Sequence, residues 1–272
     1  MKNRRTAALL LLIFAAAALC AVAAGGAVLG DRAVVSDFSR KNLPPCPALL
    51  FGADWLGRDM LARTLAGLSL SIRVGALTAA VSAAAALVLG TASALLGGRA
   101  DGLISWFIDL VMGVPHILLI ILISLACGRG FWGVVAGVSL SHWPALARLV
   151  RSEVLQLRQA PYFRAARRLG ISRRKLLQNH LLPHLLPQFL TGLLLQFPHA
   201  ILHEAGVTFL GFGLSPEQPA IGIILAESMA YLSTGRWWLA LFPGLSLVLV
   251  VAMFALAGER LRLLLAPASA QE

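Results

Sequence analysis

Long uncharged runs dominate the pattern of hydrophobic and polar positions. Thr6–Gly30, Val74–Leu96 and Trp237–Gly258 hold no charged residue over 25, 23 and 22 positions respectively. Three further apolar stretches carry polar interruptions. Leu103–Ala126 contains Asp109 and the Pro115-His116 pair, Gly130–Ala147 contains His142 and Pro144, and Leu185–Gly206 contains Pro187, Pro198, His199, His203 and Glu204. A helix needs about 20 apolar residues to cross a hydrocarbon core, and inside lipid only a helix or a closed barrel satisfies its own backbone. The pattern predicts an all-α, polytopic membrane protein with six transmembrane helices.

Composition supports that reading. Hydrophobic residues make up 58% of the 272, before 25 glycines are added, and charged residues only 13%. Soluble domains sit near 45–50% apolar with glycine included and about 25% charged. The formal net charge of +11 would suggest nucleic acid in a soluble protein. Its distribution argues otherwise. With six spans both termini lie on one side, and placing the N-terminus inside puts 15 of the 23 basic residues in cytoplasmic segments. This is the sense of the positive-inside rule. A multi-pass membrane protein with both termini cytoplasmic and no nucleic-acid partner is expected.

The first run follows Lys2, Arg4 and Arg5, as a signal peptide would, but far exceeds the roughly 7–15 residues of a signal core. It is read as a retained helix. Cys20 follows bulky Leu19, which excludes a lipoprotein cleavage site, and the three cysteines form neither a zinc spacing nor a disulfide framework. The expected organisation is an N-terminal helix and outer loop over 1–69, a membrane core of five helices over 70–265, and a tail over 266–272.

Nine basic residues and a single acid, Glu153, crowd into the segment Arg148–His184. Pro161 suits a helix first turn and Gly170 a C-terminal cap, so Pro161–Leu169 reads as a short helix. Ser172 is placed to cap a second one, on which Leu176, Leu177, His180 and Leu181 share a face. Pro183 marks entry into the fifth span. Two short helices joined at a glycine, with a basic surface, suit a docking element; an ordinary solvated loop is the alternative.

The motif Arg164-Ala165-Ala166-x-x-x-Gly170, followed by His180-Leu181-Leu182-Pro183, resembles the "EAA" coupling loop of ABC-importer permeases. Arg164 stands where that motif has Glu. Gly52–Asp59, Ile108–Pro115, Phe209–Gly213 and Phe242–Gly244 resemble, in order, the C-type permease of the dipeptide/oligopeptide/nickel branch. The resemblance covers about residues 50 to 265. It implies a type I, MetI-like permease fold, a homologous second permease, two ATPase subunits and an extracytoplasmic solute-binding protein. Arg164, Ala165, Ala166, Gly170, His180, Leu182 and Pro183 would then meet the ATPase through the 148–184 loop.

No nucleotide site accompanies these features. A P-loop needs a lysine after glycine, and Lys2, Lys41 and Lys175 all lack one. ATP would be used by partner subunits, with no cofactor bound by this chain and no enzyme activity of its own. A membrane-embedded enzyme lacks a nucleophile or a complete metal motif, and an ion-driven carrier would show an internal repeat.

Two outward segments and a few polar residues complete the reading. Asp54 and Arg58, at i and i+4, could pair on a surface helix, and Ala220–Leu232 shows helical spacing. Polar groups inside spans face the bundle interior or a water-filled path. His116, His142, His199, His203 and Glu204 are therefore candidate pathway residues, with no firm metal site; interhelical hydrogen bonding is the alternative. Asp109 is expected to pair with a neighbouring helix. Leu202–Gly206 and Ser141–Trp143 look more like nickel and metallophore permeases, so nickel or a metal chelate is the favoured cargo and di- or oligopeptide the alternative.

Overall fold

The structure is a computed structural model that describes residues 2–176, 179 and 181–265. Ten α-helices follow one another among them. These are α1 (Lys2–Val28), α2 (Met60–Leu96), α3 (Gly98–Gly113), α4 (His116–Ala126), α5 (Phe131–Gln159), α6 (Pro161–Arg168), α7 (Arg173–Leu176), α8 (Leu182–Phe209), α9 (Ile221–Leu232) and α10 (Trp238–Leu265). The all-α expectation holds. The proposed tail 266–272, Leu177 and His180 lie outside the described residues.

The six expected spans are not six straight helices. By length and hydropathy α1, α2, α8 and α10 each suffice to cross a membrane, and α3 with α4 is apolar enough only as a pair bent by 99°, the geometry of a broken span or a re-entrant loop. The elbow falls at Val114-Pro115. Proline has no N–H to give the helix and pushes the preceding residue toward extended backbone, and Val114 sits at φ −89°, ψ 137°. The fourth expected span begins as read, but its helix continues past Ala147 to Gln159. Ser139, Ser141, His142 and Pro144 lower the hydropathy of its first half, and Arg148, Arg151, Glu153 and Arg158 that of its second, so α5 is less apolar than the other long helices. The first third of the expected 148–184 loop is thus the end of α5.

The helices pack around α2, which lies against α1, α5 and α8. Polar ties cross these seams: Ser69 Oγ donates to Ala23 O at 3.1 Å, and Ser82 Oγ to Ser139 O at 2.8 Å. Small residues let backbones approach, as membrane helices require. At Gly137 a Cβ would lie 2.7 Å from Ile120 O, so only glycine lets α4 sit this close to α5. Outward faces are apolar instead of polar. Leu10, Phe14, Val88, Leu103, Trp106 and Val248 are all more than half exposed, the arrangement of a chain whose solvent is lipid.

The two ends of the bundle differ in charge. Arg99, Arg151, Arg158, Arg164, Arg168, Lys175 and Arg262 gather where α2 ends, α5 ends and α8 begins. Asp101 on α3 holds that corner together, accepting two bonds from Arg151 at 2.7 and 2.6 Å and one from Ser93. Asp109 pairs with Arg148 of α5, the neighbouring-helix partner the sequence suggested.

Candidate functional site

The elbow between α3 and α4 brings polar side chains together at the middle of the bundle. His116 is the first residue of α4, His142 lies on α5, and His203 lies on α8. Their rings form a closed triangle, with centroids 4.5 Å (His116–His142), 4.6 Å (His116–His203) and 5.1 Å (His142–His203) apart. One ligand nitrogen from each lies within 4.8 Å of the others. An apolar cluster adjoins them: Ile120 on α4, Val134 and Val138 on α5, and Ala200 and Val207 on α8. Ile120 is one turn after His116 and Val138 one turn before His142, so packing between helices sets the histidines' positions.

His142 is further constrained. Its Nδ1 lies 2.9 Å from Val138 O, and a carbonyl oxygen only accepts, so Nδ1 carries the proton. Nε2 of the same ring is buried with no hydrogen-bond partner. His116, His142 and His203 are all half-buried as residues, so the triangle is not sealed from its surroundings.

The other two candidates of this group stand apart from the triangle. His199, one turn before His203 on α8, is exposed and outside the three-nitrogen group. Glu204 is fully buried and turned toward α2, accepting from Ser71 Oγ at 2.5 Å and Thr208 Oγ1 at 3.0 Å. The Ser71 bond ties α8 to α2, and the Thr208 bond holds the carboxylate from its own helix. Consecutive residues on a helix point about 100° apart, which is why His203 and Glu204 serve different sites.

At the basic end, α6 begins at Pro161 as expected and buries Phe163 and Ala166 against Val154 and Leu157 of α5 and against Leu176. Arg164, Ala165 and Arg168 face outward. Gly170 ends the helix with φ +76°, the left-handed conformation that glycine adopts without strain. Leu169 beside it is 82% exposed, a large apolar side chain presented on a basic surface. Ser172 accepts from Lys175 N at 3.4 Å, a long cap for α7. Leu182 and the N-terminal Pro183 open α8, both exposed. His180 lies outside the described residues.

At the opposite end Asp54 and Arg58 do pair, at 2.6 Å, but on a turn that leads into α2 and not on a surface helix. Asp54 accepts from Leu56 N and Arg58 N, both at 2.9 Å, which is a turn's bonding pattern. Sequence reasoning missed the other half of the group. Arg63, 2% exposed, donates to Asp54 at 2.6 Å and to Glu227 of α9 at 3.0 Å. Trp55 stacks on Tyr231 at 4.8 Å, and the guanidiniums of Arg58 and Arg63 lie 5.3 and 5.8 Å from its ring. An arginine at the fourth position of an apolar helix, after the Asp59 cap, was the available signal.

Comparison with known proteins identifies the architecture. The model of the "Binding-protein-dependent transport system inner membrane component" family matches residues 86–270. The chain belongs to that family. It is similar to the dipeptide transport system permease protein DppC of Bacillus subtilis (strain 168), 29% identical over 238 residues that cover 87% of this chain and 74% of that one. It is 32% identical over 231 residues to the probable D,D-dipeptide transport system permease protein DdpC of Escherichia coli (strain K12), covering 85% and 77%. A putative peptide transport system permease protein of Brucella suis biovar 1 is 37% identical over 224 residues, covering 82% and 75%. The fold resembles a chain of the MetNI methionine ABC transporter in an inward-facing conformation, with TM-score 0.64, 16% identity, and coverage of 76% of this chain and 98% of that one.

This transport-family member is a multi-pass inner-membrane permease subunit of an ABC importer and not an enzyme; ATP hydrolysis resides on a separate subunit. ATPase and binding-protein partners belong to that family context. The relatives are named as peptide permeases, so they lend nothing to the nickel or metal-chelate cargo and favour the peptide alternative.

Proposed function

We propose that this chain forms half of the translocation pathway of an ATP-driven importer of di- or oligopeptides. It would work with a homologous permease, two ATPase subunits and an extracytoplasmic solute-binding protein. The cargo assignment is supported by one observation above others: relatives named as peptide permeases align over more than four fifths of the chain.

The basic end is taken as cytoplasmic, because clustered Arg and Lys near span ends are retained inside. Both termini then lie in the cytoplasm. In this reading Arg164, Ala165, Gly170, Leu182 and Pro183 lie on the ATPase-facing surface, and Ala166 fixes α6 from beneath. Exposed Leu169 enters a partner groove, since a large apolar side chain on a charged surface is otherwise left in water. ATP-driven closure of the ATPases pushes α6 and α7, and through the Phe163–Leu157 contact the push reaches α5. The chain itself carries no nucleotide, which is used by the ATPase subunits.

The test is uptake of a labelled dipeptide by cells carrying the complete transporter. Accumulation against a gradient, lost when ATP is depleted, is expected. Accumulation that persists without ATP, or an absence of peptide uptake across a panel of di- and oligopeptides, overturns the proposal.

A further inference from the structure

We infer that His116, His142 and His203 form a binding site for a divalent transition-metal ion of the nickel–zinc class, held by three imidazoles with at least one coordination position left open. The inference goes beyond peptide import and does not rest on it.

The donor set is the first argument. Neutral imidazole is a good ligand for zinc, copper and nickel, and three histidines with an open position recur among zinc sites that exchange a ligand. The three nitrogens lie within 4.8 Å of one another, whereas a tetrahedral ion with bonds of about 2.0–2.1 Å needs them about 3.3 Å apart. Metal binding therefore requires the three nitrogens to converge by up to about 1.5 Å from this arrangement.

The state of His142 is the second argument, independent of the first. A metal-binding histidine commonly donates its other ring N–H to a carbonyl, which fixes ring orientation and turns the lone pair toward the ion. His142 does this through Val138 O at 2.9 Å, and its Nε2 is buried and unpartnered. A buried polar nitrogen without a partner carries a desolvation cost that an ion or water would relieve.

The third argument is placement. Each ligand comes from a different helix, α4, α5 and α8, and His116 occupies the elbow residue whose position depends on the Val114-Pro115 break. Among the described residues no carboxylate joins the group, and Glu204 beside it is committed to Ser71 and Thr208. A neutral three-nitrogen set holds a divalent ion without cancelling its charge. The open position therefore favours a small anionic or amino-carboxylate donor, whether the ion arrives free with water or inside an amino-acid chelate.

The test uses the complete transporter in lipid nanodiscs, purified with an affinity tag that contains no histidine. Ni2+ alone, and Ni2+ with excess free L-histidine, are titrated by equilibrium dialysis with metal analysis. The wild-type complex should bind one more Ni2+ per copy of this chain than the His116→Ala/His142→Ala/His203→Ala variant. Retention in both arms assigns the site to chelated metal; retention only without L-histidine assigns it to the free ion; both support the site. His142→Gln should weaken binding at least as much as the roughly 10–100-fold that loss of an outer-shell partner costs. The exposed His184→Ala should leave it unchanged. Co2+ should give a visible d–d absorption in wild type that His142→Gln removes, and elution of all variants as intact complex guards against misfolding. Equal Ni2+ stoichiometry in wild type and triple variant, with intact complexes, overturns the inference. Because binding is read without transport, failure here leaves the peptide-import reading untouched, and failure of peptide uptake leaves this site untouched.

Discussion

The two ends of this bundle handle charge in opposite ways. At one end Asp54, Arg58, Arg63 and Glu227 form a closed network, with Asp54 and Arg63 essentially removed from solvent and Trp55 laid across the cations. At the other, Arg164 and Arg168 of α6 face outward beside the exposed Leu169. Buried charge is tolerated only when paired and hydrogen-bonded, so the first end is committed to holding the loop before α2, α2 itself and α9 in one geometry. Exposed charge beside an exposed leucine gains little from the fold and remains available to another surface. The first end is held rigid by its own pairs, and the second is the end that the proposed ATPase contact would use.

Substitutions separate these roles by size of effect. Arg63→Ala should be the most damaging to stability. It leaves Asp54 buried with a weakened partner set, and breaking such a pair typically costs about 3–5 kcal/mol. Thermal melting of the detergent-solubilised complex should show a large loss, and melting unchanged from wild type would refute the rigid network. Glu204→Ala comes next. It strands Ser71 and Thr208, so a loss of about 1–3 kcal/mol is expected in the same assay, with Glu204→Gln retaining most of the stability. Arg148→Ala removes an exposed pair with Asp109 and should cost no more than about 1 kcal/mol. Leu169→Ala should be nearly silent in melting, within about 0.5 kcal/mol, because Leu169 is 82% exposed. Its effect should appear only as weaker co-purification of the ATPase subunits. A Leu169→Ala protein that melts early would place that residue in the fold instead of at a contact.

The contact end was the more legible of the two from sequence, for a physical reason. Its features are local: Pro161 starts α6, Gly170 stops it at positive φ, and Ser172 precedes α7, each readable from neighbouring residues. The rigid end depends on distance. Asp54 and Arg58 are four apart and visible as a pair, yet Glu227 lies 164 residues beyond Arg63 and no local pattern joins them. The histidines behave likewise. Each was visible as a polar residue in an apolar run, but the selection of His116, His142 and His203 over His199 and Glu204 required helix phase and the elbow. That elbow was itself hidden, because Pro115 bends α3–α4 by 99° while Pro144, Pro187, Pro198 and Pro243 lie inside continuous helices. Proline marks a weak point, and packing decides whether the chain turns there.

Transmission of the ATPase stroke through α6 and α7 is tested most directly at Gly170. Its φ of +76° lies where a β-branched residue is strained, and a Cβ there would meet no neighbouring atom within 4 Å, so substitution disturbs the turn without a clash. Gly170→Val in the complete transporter should reach the membrane in normal amount and assemble with its partner permease, while ATP-dependent uptake of labelled dipeptide falls to background. Uptake at the wild-type rate, with ATP hydrolysis still stimulated by the loaded binding protein, would contradict the account.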